Sequence, residues 1–476
     1  MARVLLINPP SPERLGAPLL GQQYVAAALL ARGCEVKVID AAARHFPHDS
    51  DWIVEQTERF APHIVGMGLF TRWVWHAYRL AERLRGRFPL LVAGGPHATV
   101  RADETLRHGF DVAVIGEGEL TIGELVEVIE GRRALADVGG IRYRAAGGEI
   151  LSGRDTSFID DLDRLASPLL AQDLYDPAWY DDSGDERVPG GLLTSRGCPA
   201  RCTFCANYVT GRGFRYRSPA NVVAELNAYH RRSGLRFFPF WDDALTTNRR
   251  RLRELCEALA RDVAFPLGWS AITRASQVNP EMLAAMKRAG LIAVNFGVES
   301  GDDEVLRAIK KGVTTDQVVR ALEWSKAAGL RTAANFMLGF PQEDSTALER
   351  TLAFMQRIAP LVDSFSTLGV LIPYPGTPLY EEYHQHYGFT DWWLKERYSR
   401  WEEAPPIEAF DDYYRYYIDD QALALDFFRY DRERRDLIRE CLRFKAEHNL
   451  RAGGLLPSVG GGSPTTRKEP ARASNF

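Results

Sequence analysis

The sequence predicts an α/β protein with two parallel-sheet units in tandem. An N-terminal doubly wound, Rossmann-like domain comes first, then a partial (β/α)6 barrel of the TIM type, then a mainly helical C-terminal extension. Three observations predict this. The 476 residues exceed one ordinary core, since domains cluster near roughly 100–200 residues. Short β-type runs alternate with amphipathic stretches over residues 1–130 and again from Gly191 to Leu371, the pattern of parallel strands joined by crossover helices. Glycine or proline stands at the end of one run after another, where such sheets bind ligands. The expected boundaries are 1–135 and 189–385 for the two α/β domains and 136–188 for a connector. An aromatic-rich helical region is expected over 386–451 and a disordered tail over 452–476.

In the first series, Val4–Ile7 reads as a strand, Gln22–Ala31 as a helix and Glu35–Ile39 as a strand. Ile64–Leu69 is a strand followed by a helix to about Arg87. Leu90–Ala93 runs into Gly94 and Gly95, and Val112–Ile115 into Gly116. The connector holds a hairpin pattern over Gly140–Leu151 and an acidic stretch through Asp181, Asp182 and Asp185. The second series has strand-like runs at Gly191–Thr194, Phe237–Trp241, Gly268–Ile272, Ala293–Gly297, Thr332–Leu338 and Ser366–Leu371. Helical patterns such as Pro219–Arg232 and Arg249–Arg261 separate them. Six β/α units make a partial barrel, whose active site belongs at the C-terminal strand ends. Beyond Tyr380, Trp392, Trp393, Trp401, Tyr413, Tyr414, Tyr416 and Tyr417 crowd together, a pattern of core between helices or of a cap over the barrel. The last 25 residues are Gly/Ser/Pro-rich.

Composition excludes several classes. Lys+Arg of 59 against Asp+Glu of 63 gives net charge −4, so no basic field invites nucleic acid. No run of about 18 apolar residues exists to span a membrane. The N-terminus enters a strand and meets Pro9 and Pro10 at once, unlike a signal peptide, so a cytoplasmic location is expected. Six cysteines in this length do not make a disulfide framework.

Three of those cysteines, Cys198, Cys202 and Cys205, form C-x3-C-x2-C. Three thiolates on one loop suit an iron–sulfur cubane and leave one iron open to a small molecule. Structural zinc is the alternative, but it wants a fourth ligand, and no Cys or His stands at suitable spacing. Cys34, Cys256 and Cys441 lie in patterned segments and read as buried thiols. Arg212, Arg215 and Arg217 follow the cysteines and read as rim packing or as contacts to an anionic substrate.

With an aromatic, Phe204, before the last cysteine and the motif after a first barrel strand, the segment resembles the radical S-adenosylmethionine (SAM) enzymes. The acidic turn Asp242–Asp243, the run Gly297 to Gly301 with Lys311 and Gly312, the run Met337 to Pro341 and the run Pro373 to Leu379 extend the resemblance through residues 190–380. It places the Gly297–Gly301 run in the family's fifth-strand signature. It implies a [4Fe-4S] cluster on Cys198, Cys202 and Cys205, with SAM chelating the open iron. It also implies Phe204 beside the adenine, Asp242 and Asp243 near the methionine amine, Ser270 and Arg274 near the carboxylate, and Glu299 at the ribose. Helix capping and rim ion pairs are the structural alternatives for these polar residues.

Residues 1–130 resemble the cobalamin-binding domain that precedes the barrel in one radical-SAM subgroup. The matching residues are Asn8 and Pro9; Gly66, Gly68 and Leu69; Gly94, Gly95, Pro96 and His97; and Gly116, Glu117 and Gly118. Glycines there let backbone approach a flat corrin. The motif D-x-H-x-x-G, whose His ligates cobalt from below, is absent after the first strand. The resemblance then implies a cobalt without a lower His, with Arg72 or Trp73 near that face and His97 at corrin amides. A flavodoxin-like fold without cofactor is the alternative.

The two resemblances together imply a cobalamin-dependent radical SAM enzyme. C-methylation of an unactivated carbon of a small molecule, through a 5′-deoxyadenosyl radical and methylcobalamin, is the leading expectation. Relatives that cyclise, contract rings or oxidise are the alternative, and a non-enzymatic iron–sulfur protein is a remote one. A tRNA methylthiotransferase would need three more cysteines in the first domain, and only Cys34 precedes Cys198. A flavodoxin or ferredoxin is the expected electron donor.

Overall fold

A computed structural model describes residues 1–11, 16–44, 46–155, 158–180, 191–398, 423 and 425–451. The acidic stretch at 181–185, the aromatic residues Trp401, Tyr413, Tyr414, Tyr416 and Tyr417, and the 452–476 tail lie outside these residues.

Aliphatic runs near the N-terminus make the strands β1 (Arg3–Asn8), β2 (Glu35–Asp40), β3 (Ile64–Gly68), β4 (Leu90–Gly94) and β5 (Val112–Val114). All five are parallel, in the order β2-β1-β3-β4-β5. β2 and β3 flank β1 on opposite sides, so the chain reverses its winding there and opens a crevice beyond the carboxyl ends of β1 and β3. The hairpin of the connector, β6 (Ile141–Arg144) and β7 (Ile150–Ser152), joins the sheet antiparallel at the β5 edge. Further on, the connector folds back over the sheet. Tyr180 donates its hydroxyl to Asp40 Oδ2 at 2.7 Å and Tyr175 to Gln22 Oε1 at 3.2 Å, which covers the ends of β1 and β2.

The second series builds β8 (Ser195–Arg196) and β9 (Arg215–Tyr216), a short antiparallel ribbon. The sheet β10 (Phe237–Phe240), β11 (Gly268–Thr273), β12 (Leu291–Glu299), β13 (Arg331–Leu338) and β14 (Ser364–Val370) follows, all parallel and in chain order. The Gly191–Thr194 run enters only through one parallel bridge, Leu192 to Phe240. Counted from that run, Gly297–Gly301 closes the fourth strand and not the expected fifth.

Alternation of side chains decides what this sheet encloses. Phe238, Phe336 and Phe365 turn outward, against Tyr229, Phe354 and Phe444 of the surrounding helices. Ser270, Asn295, Asn335 and Ser366 therefore face inward. A parallel sheet buried on both faces is ordinarily apolar throughout, so these small polar side chains set the inner face apart from the large apolar outer one.

Trp392 and Trp393 are fully buried. The Trp392 indole donates to the Pro373 carbonyl at 2.9 Å, and that of Trp393 to Glu104 Oε1 at 2.9 Å, which pins the end of the barrel onto the N-terminal unit. The last helix, Arg432–Arg451, closes the barrel edge: Asn449 brackets the backbone of Phe365 on β14, accepting its N–H at 2.8 Å and donating to its carbonyl at 2.9 Å. Among the described residues no helix is long and apolar enough to cross a membrane.

Glu343 lies wholly buried under the turn that follows β13. It accepts the Gly339 N–H at 2.7 Å and the Ser300 hydroxyl at 3.4 Å. Burial pushes its pKa up to about 7. The protonated form therefore contributes stability that is complete below the unfolded value of about 4.3 and is lost as pH rises through about 7. Glu343→Gln should flatten the fall in thermal stability across that window. An unchanged pH slope in melting experiments would contradict this.

Candidate active site

The cysteine loop begins where β8 ends. Gly197 has φ +86°, and a Cβ there would meet the Gly213 carbonyl at 2.1 Å, so only glycine lets the two limbs of the loop close. The Cys198 N–H donates to the Gly211 carbonyl at 3.1 Å and the Cys205 N–H to that of Cys202 at 3.3 Å. The middle of the loop is held from the barrel: Thr203 N–H donates to the Ile309 carbonyl at 3.0 Å, and Leu379 N–H to the Thr203 carbonyl at 3.0 Å. Cys198, Cys202 and Cys205 thus share one loop, graded from buried Cys202 to exposed Cys205, although among the described residues no three His, Cys, Asp or Glu side chains are gathered closely enough to hold a metal ion as they stand. Desolvation pushes the half-buried Cys198 thiol up, and a cysteine that ligates a metal does so as the thiolate. A soft, three-thiol donor set with no His or carboxylate among it fits an iron–sulfur cluster.

Both acidic residues after β10 brace this loop. Asp242 is buried and accepts Thr194 N–H at 3.2 Å, the Thr194 hydroxyl at 2.7 Å and the Ser195 hydroxyl. Asp243 Oδ2 accepts the Gly197 N–H at 3.0 Å and the Thr210 hydroxyl at 2.7 Å. Arg251, fully buried in the helix Arg249–Asp262, donates to the Thr194 carbonyl at 2.7 Å. Sequence reasoning missed Arg251, because an arginine in an amphipathic helix carries no signal that it points inward.

Across the barrel, Glu299 ends β12 with φ +75°, a conformation costly for a residue with a side chain and often found at functional sites. Lys311 Nζ donates to Glu299 Oε1 at 2.6 Å, with both groups buried, and lies 5.9 Å from the Phe204 ring centroid. Phe204 in turn packs on Phe340 with centroids 5.6 Å apart. Ser270 is buried on the inner face of β11. Asn295, one strand over, is buried with its Oδ1 unpaired among the described residues, an acceptor available to a ligand. Asn295 had no sequence signal beyond its place in an apolar run. Arg274, just past β11, sets Nη1 3.5 Å from Cys202 Sγ.

The N-terminal residues divide into two groups. Gly68 and Gly94 face open space, with nothing within 4 Å of a Cβ built on either, so a flat ligand can approach their backbone. Gly95 and Gly66 answer to the fold instead: Gly95 has φ +89° with the Leu69 backbone 3.2 Å from its Cβ position, and Gly66 has Leu6 at 3.0 Å. Leu69 is buried in the core. Pro96 opens the short helix Gly95–Val100, Gly116 takes φ +78° and donates its N–H to Thr99 Oγ1 at 3.1 Å, and a Cβ built on Gly118 would lie 3.6 Å from Val25. The Arg72 guanidinium stacks on Trp73 at 4.6 Å.

Like Leu69, the expected corrin contacts Asn8, Pro9 and His97 are turned inward. Asn8 and Pro9 are buried, and the Asn8 amide donates to Asp40 Oδ1 at 2.7 Å. His97 is wholly buried, one ring nitrogen at Thr71 Oγ1 (3.0 Å) and the other at the Tyr78 hydroxyl (3.0 Å) and Glu104 (3.1 Å). This network ties Trp393 to the turn that carries Arg72. Burial lowers the His97 pKa, against the neighbouring Glu104, which acts to raise it.

Glu117 faces the barrel. Its Oε1 accepts Arg196 Nη1 at 2.8 Å and its Oε2 accepts Arg215 Nη1 at 2.7 Å and the Ile159 N–H at 2.7 Å, while Arg196 Nη2 reaches Glu119 Oε1 at 2.5 Å. All four side chains are at most 10% exposed. Arg196 stands two residues before Cys198, so one buried, charge-balanced cluster joins the turn after β5 to the cysteine loop. Arg217 pairs with buried Glu225 at 2.8 Å and leaves the rim likewise committed.

Comparison with known proteins follows this division. Residues 192–355 match the family model of the radical SAM superfamily, and residues 17–126 that of the B12 binding domain. An uncharacterized methyltransferase of Pyrococcus horikoshii is 31% identical over 80% of this chain and 82% of its own length. An anaerobic magnesium-protoporphyrin IX monomethyl ester cyclase of Rubrivivax gelatinosus is 28% identical over 98% of this chain and 86% of its own. The radical S-adenosylmethionine methyltransferase TsrM of Kitasatospora setae, solved with cobalamin and a [4Fe-4S] cluster, shares the fold. It has TM-score 0.63 and 20% identity over 82% of this chain and 76% of its own.

Removing one member of a buried ion pair costs about 3–5 kcal/mol, since its partner stays buried and uncompensated. Glu117→Gln should lower the unfolding free energy of the full chain by about that amount in urea titrations. A loss below about 1 kcal/mol, the range of surface pairs, would show that the cluster is not closed to water.

Proposed function

Since the chain belongs to the radical SAM enzymes that carry a B12-binding domain, we propose that it is a C-methyltransferase acting on an unactivated carbon of a small molecule. Its cofactors are those of that family: a [4Fe-4S] cluster, SAM and cobalamin. The observation that carries methyl transfer is the 31% identity, over 80% of this chain and 82% of the relative, to a protein named an uncharacterized methyltransferase.

In this reading Cys198, Cys202 and Cys205 hold the cluster. Phe204, Ser270, Arg274 and Glu299 surround SAM, and Asp242 and Asp243 act one step back by bracing the loop. Cobalamin rests on Gly68, Gly94, Pro96, Gly116 and Gly118 of the 1–135 domain, beside Arg72. Asn8, Leu69, His97 and Glu117 stand behind that surface and position it. When bound, cluster and SAM supply a 5′-deoxyadenosyl radical and cobalamin carries the methyl group. The chain's part is to aim both at one substrate. The amides and hydroxyls of Asn295, Asn335 and Ser366 supply neutral hydrogen bonds inside the 189–385 barrel, suited to a small polar molecule. A flavodoxin or ferredoxin in the cytoplasm would deliver the electron.

Similarity to the ester cyclase over 98% of the chain favours one second reading, a non-methylating ring-forming or oxidising enzyme. The two separate in one anaerobic experiment: reconstitution with iron and sulfide, then reductant and SAM, with and without hydroxocobalamin. S-adenosylhomocysteine that appears only with cobalamin supports methyl transfer; 5′-deoxyadenosine alone moves the assignment to the second reading. Cys202→Ala should abolish cluster absorbance and all reductive SAM cleavage in that assay.

Gly94→Leu should weaken cobalamin retention at least tenfold in equilibrium dialysis while leaving the melting temperature and the cluster intact, because the new side chain fills open space. Wild-type retention would exclude this surface. The same change at Gly95 would strain the backbone and is the poorer test.

A further inference from the structure

We propose that Arg274 is a positioning residue for the iron–sulfur cluster, donating from its guanidinium to Cys202 Sγ and thereby raising the cluster's reduction potential. The inference rests on the assignment of the cluster to the three cysteines.

Four observations converge on it. The Nη1–Sγ separation is 3.5 Å, within reach of an N–H···S bond, and Cys202 is the most buried of the three thiols. Among the described residues this is the only side-chain hydrogen bond Arg274 makes, and no carboxylate pairs with it. It is therefore no rim salt bridge; its charge is free for the loop. The neighbouring charges are already committed: Lys311 to Glu299, and Asp243 to the Gly197 N–H and the Thr210 hydroxyl. Finally, Gly312 leaves room for the guanidinium. A Cβ there, on a backbone whose φ of +66° already favours glycine, would stand 3.1 Å from Arg274 Nη2, so the Lys311–Gly312 pair supplies the partner of Glu299 and leaves space beside Arg274.

Taking up one electron adds a negative charge to a cluster that its thiolates already make anionic. A cation donating a hydrogen bond to a ligand sulfur stabilises that reduced form more than the oxidised one, and hydrogen bonds to sulfur are among the main levers on cluster potential. An exposed arginine would be screened; one against a buried sulfur is screened far less.

The test uses the full chain, anaerobically reconstituted without SAM or cobalamin and titrated with dithionite against mediator dyes, the reduced cluster being read by electron paramagnetic resonance. At the potential where the wild type is half reduced, Arg274→Gln should show an approximately tenfold lower ratio of reduced to oxidised cluster, equivalent to about 59 mV for one electron. Arg274→Lys, which keeps the charge and loses the fork, should fall between the two, and it carries the test if the glutamine variant does not assemble a cluster. Unchanged midpoints in variants with full cluster absorbance would overturn the proposal. So would a loss of SAM affinity with an unchanged SAM-free midpoint, which would make Arg274 a carboxylate anchor. A wild type that assembles no [4Fe-4S] cluster would instead bring down the cysteine assignment itself.

Discussion

The charge cluster of Glu117, Glu119, Arg196 and Arg215 is the constraint on which the relation of the two domains depends. Each of these groups is expensive to take out of water alone, and mutual neutralisation is what makes burial tolerable. The cluster therefore closes only when both folds are formed and docked. Arg196 also lies 4.9 Å over the Tyr24 ring, so the helix Leu20–Ala31 takes part in the same joint. Because Glu117 belongs to the turn after β5 and Arg196 to the strand entering the cysteine loop, the joint sets the distance between the two surfaces assigned to cofactors. Trp393, donating to Glu104, fixes the other side of that interface, so the domains are pinned at two separated points.

Inside the barrel, chemistry and architecture are divided between the two faces of the strands. The outer faces carry the large apolar side chains, and stability resides there. The inner faces carry small polar residues, and the strain at Glu299, its pairing to Lys311 and the unpaired Asn295 acceptor all stand at the carboxyl ends or just below them. Such features cost stability on their own and are expected where a ligand completes the hydrogen bonding. Asp242 and Asp243 show how motif residues serve such a site from behind: their oxygens are spent on the backbone and hydroxyls of the loop, and they act through its shape.

Much of this was legible in the chain. Strand runs, crossover helices and the crevice of a doubly wound sheet follow from hydrophobic periodicity and from glycine at strand ends, because parallel strands need apolar residues on both faces and a ligand needs backbone it can approach. The cysteine spacing likewise declares its donor set without help from the rest of the fold. Gly68 and Gly94 stand open above the backbone. Gly95 and Gly66 look the same in sequence, yet one answers to a left-handed φ and the other to Leu6 packed against it.

What the sequence by itself determined is the set of local facts: fold class, element order, and three thiols on one loop, each a property of residues close together in the chain. Tertiary structure alone decided which polar residues face ligand and which face protein. Asn8 was claimed by Asp40, itself held by Tyr180 from 140 positions away, His97 was claimed by Thr71, Tyr78 and Glu104, and Glu117 was claimed by two arginines of the other domain. A hydrogen-bonding side chain has the same chemistry toward a cofactor and toward a buried partner. Its commitment is settled by what else the fold brings within about 3 Å, and that distance is invisible until the chain has closed on itself.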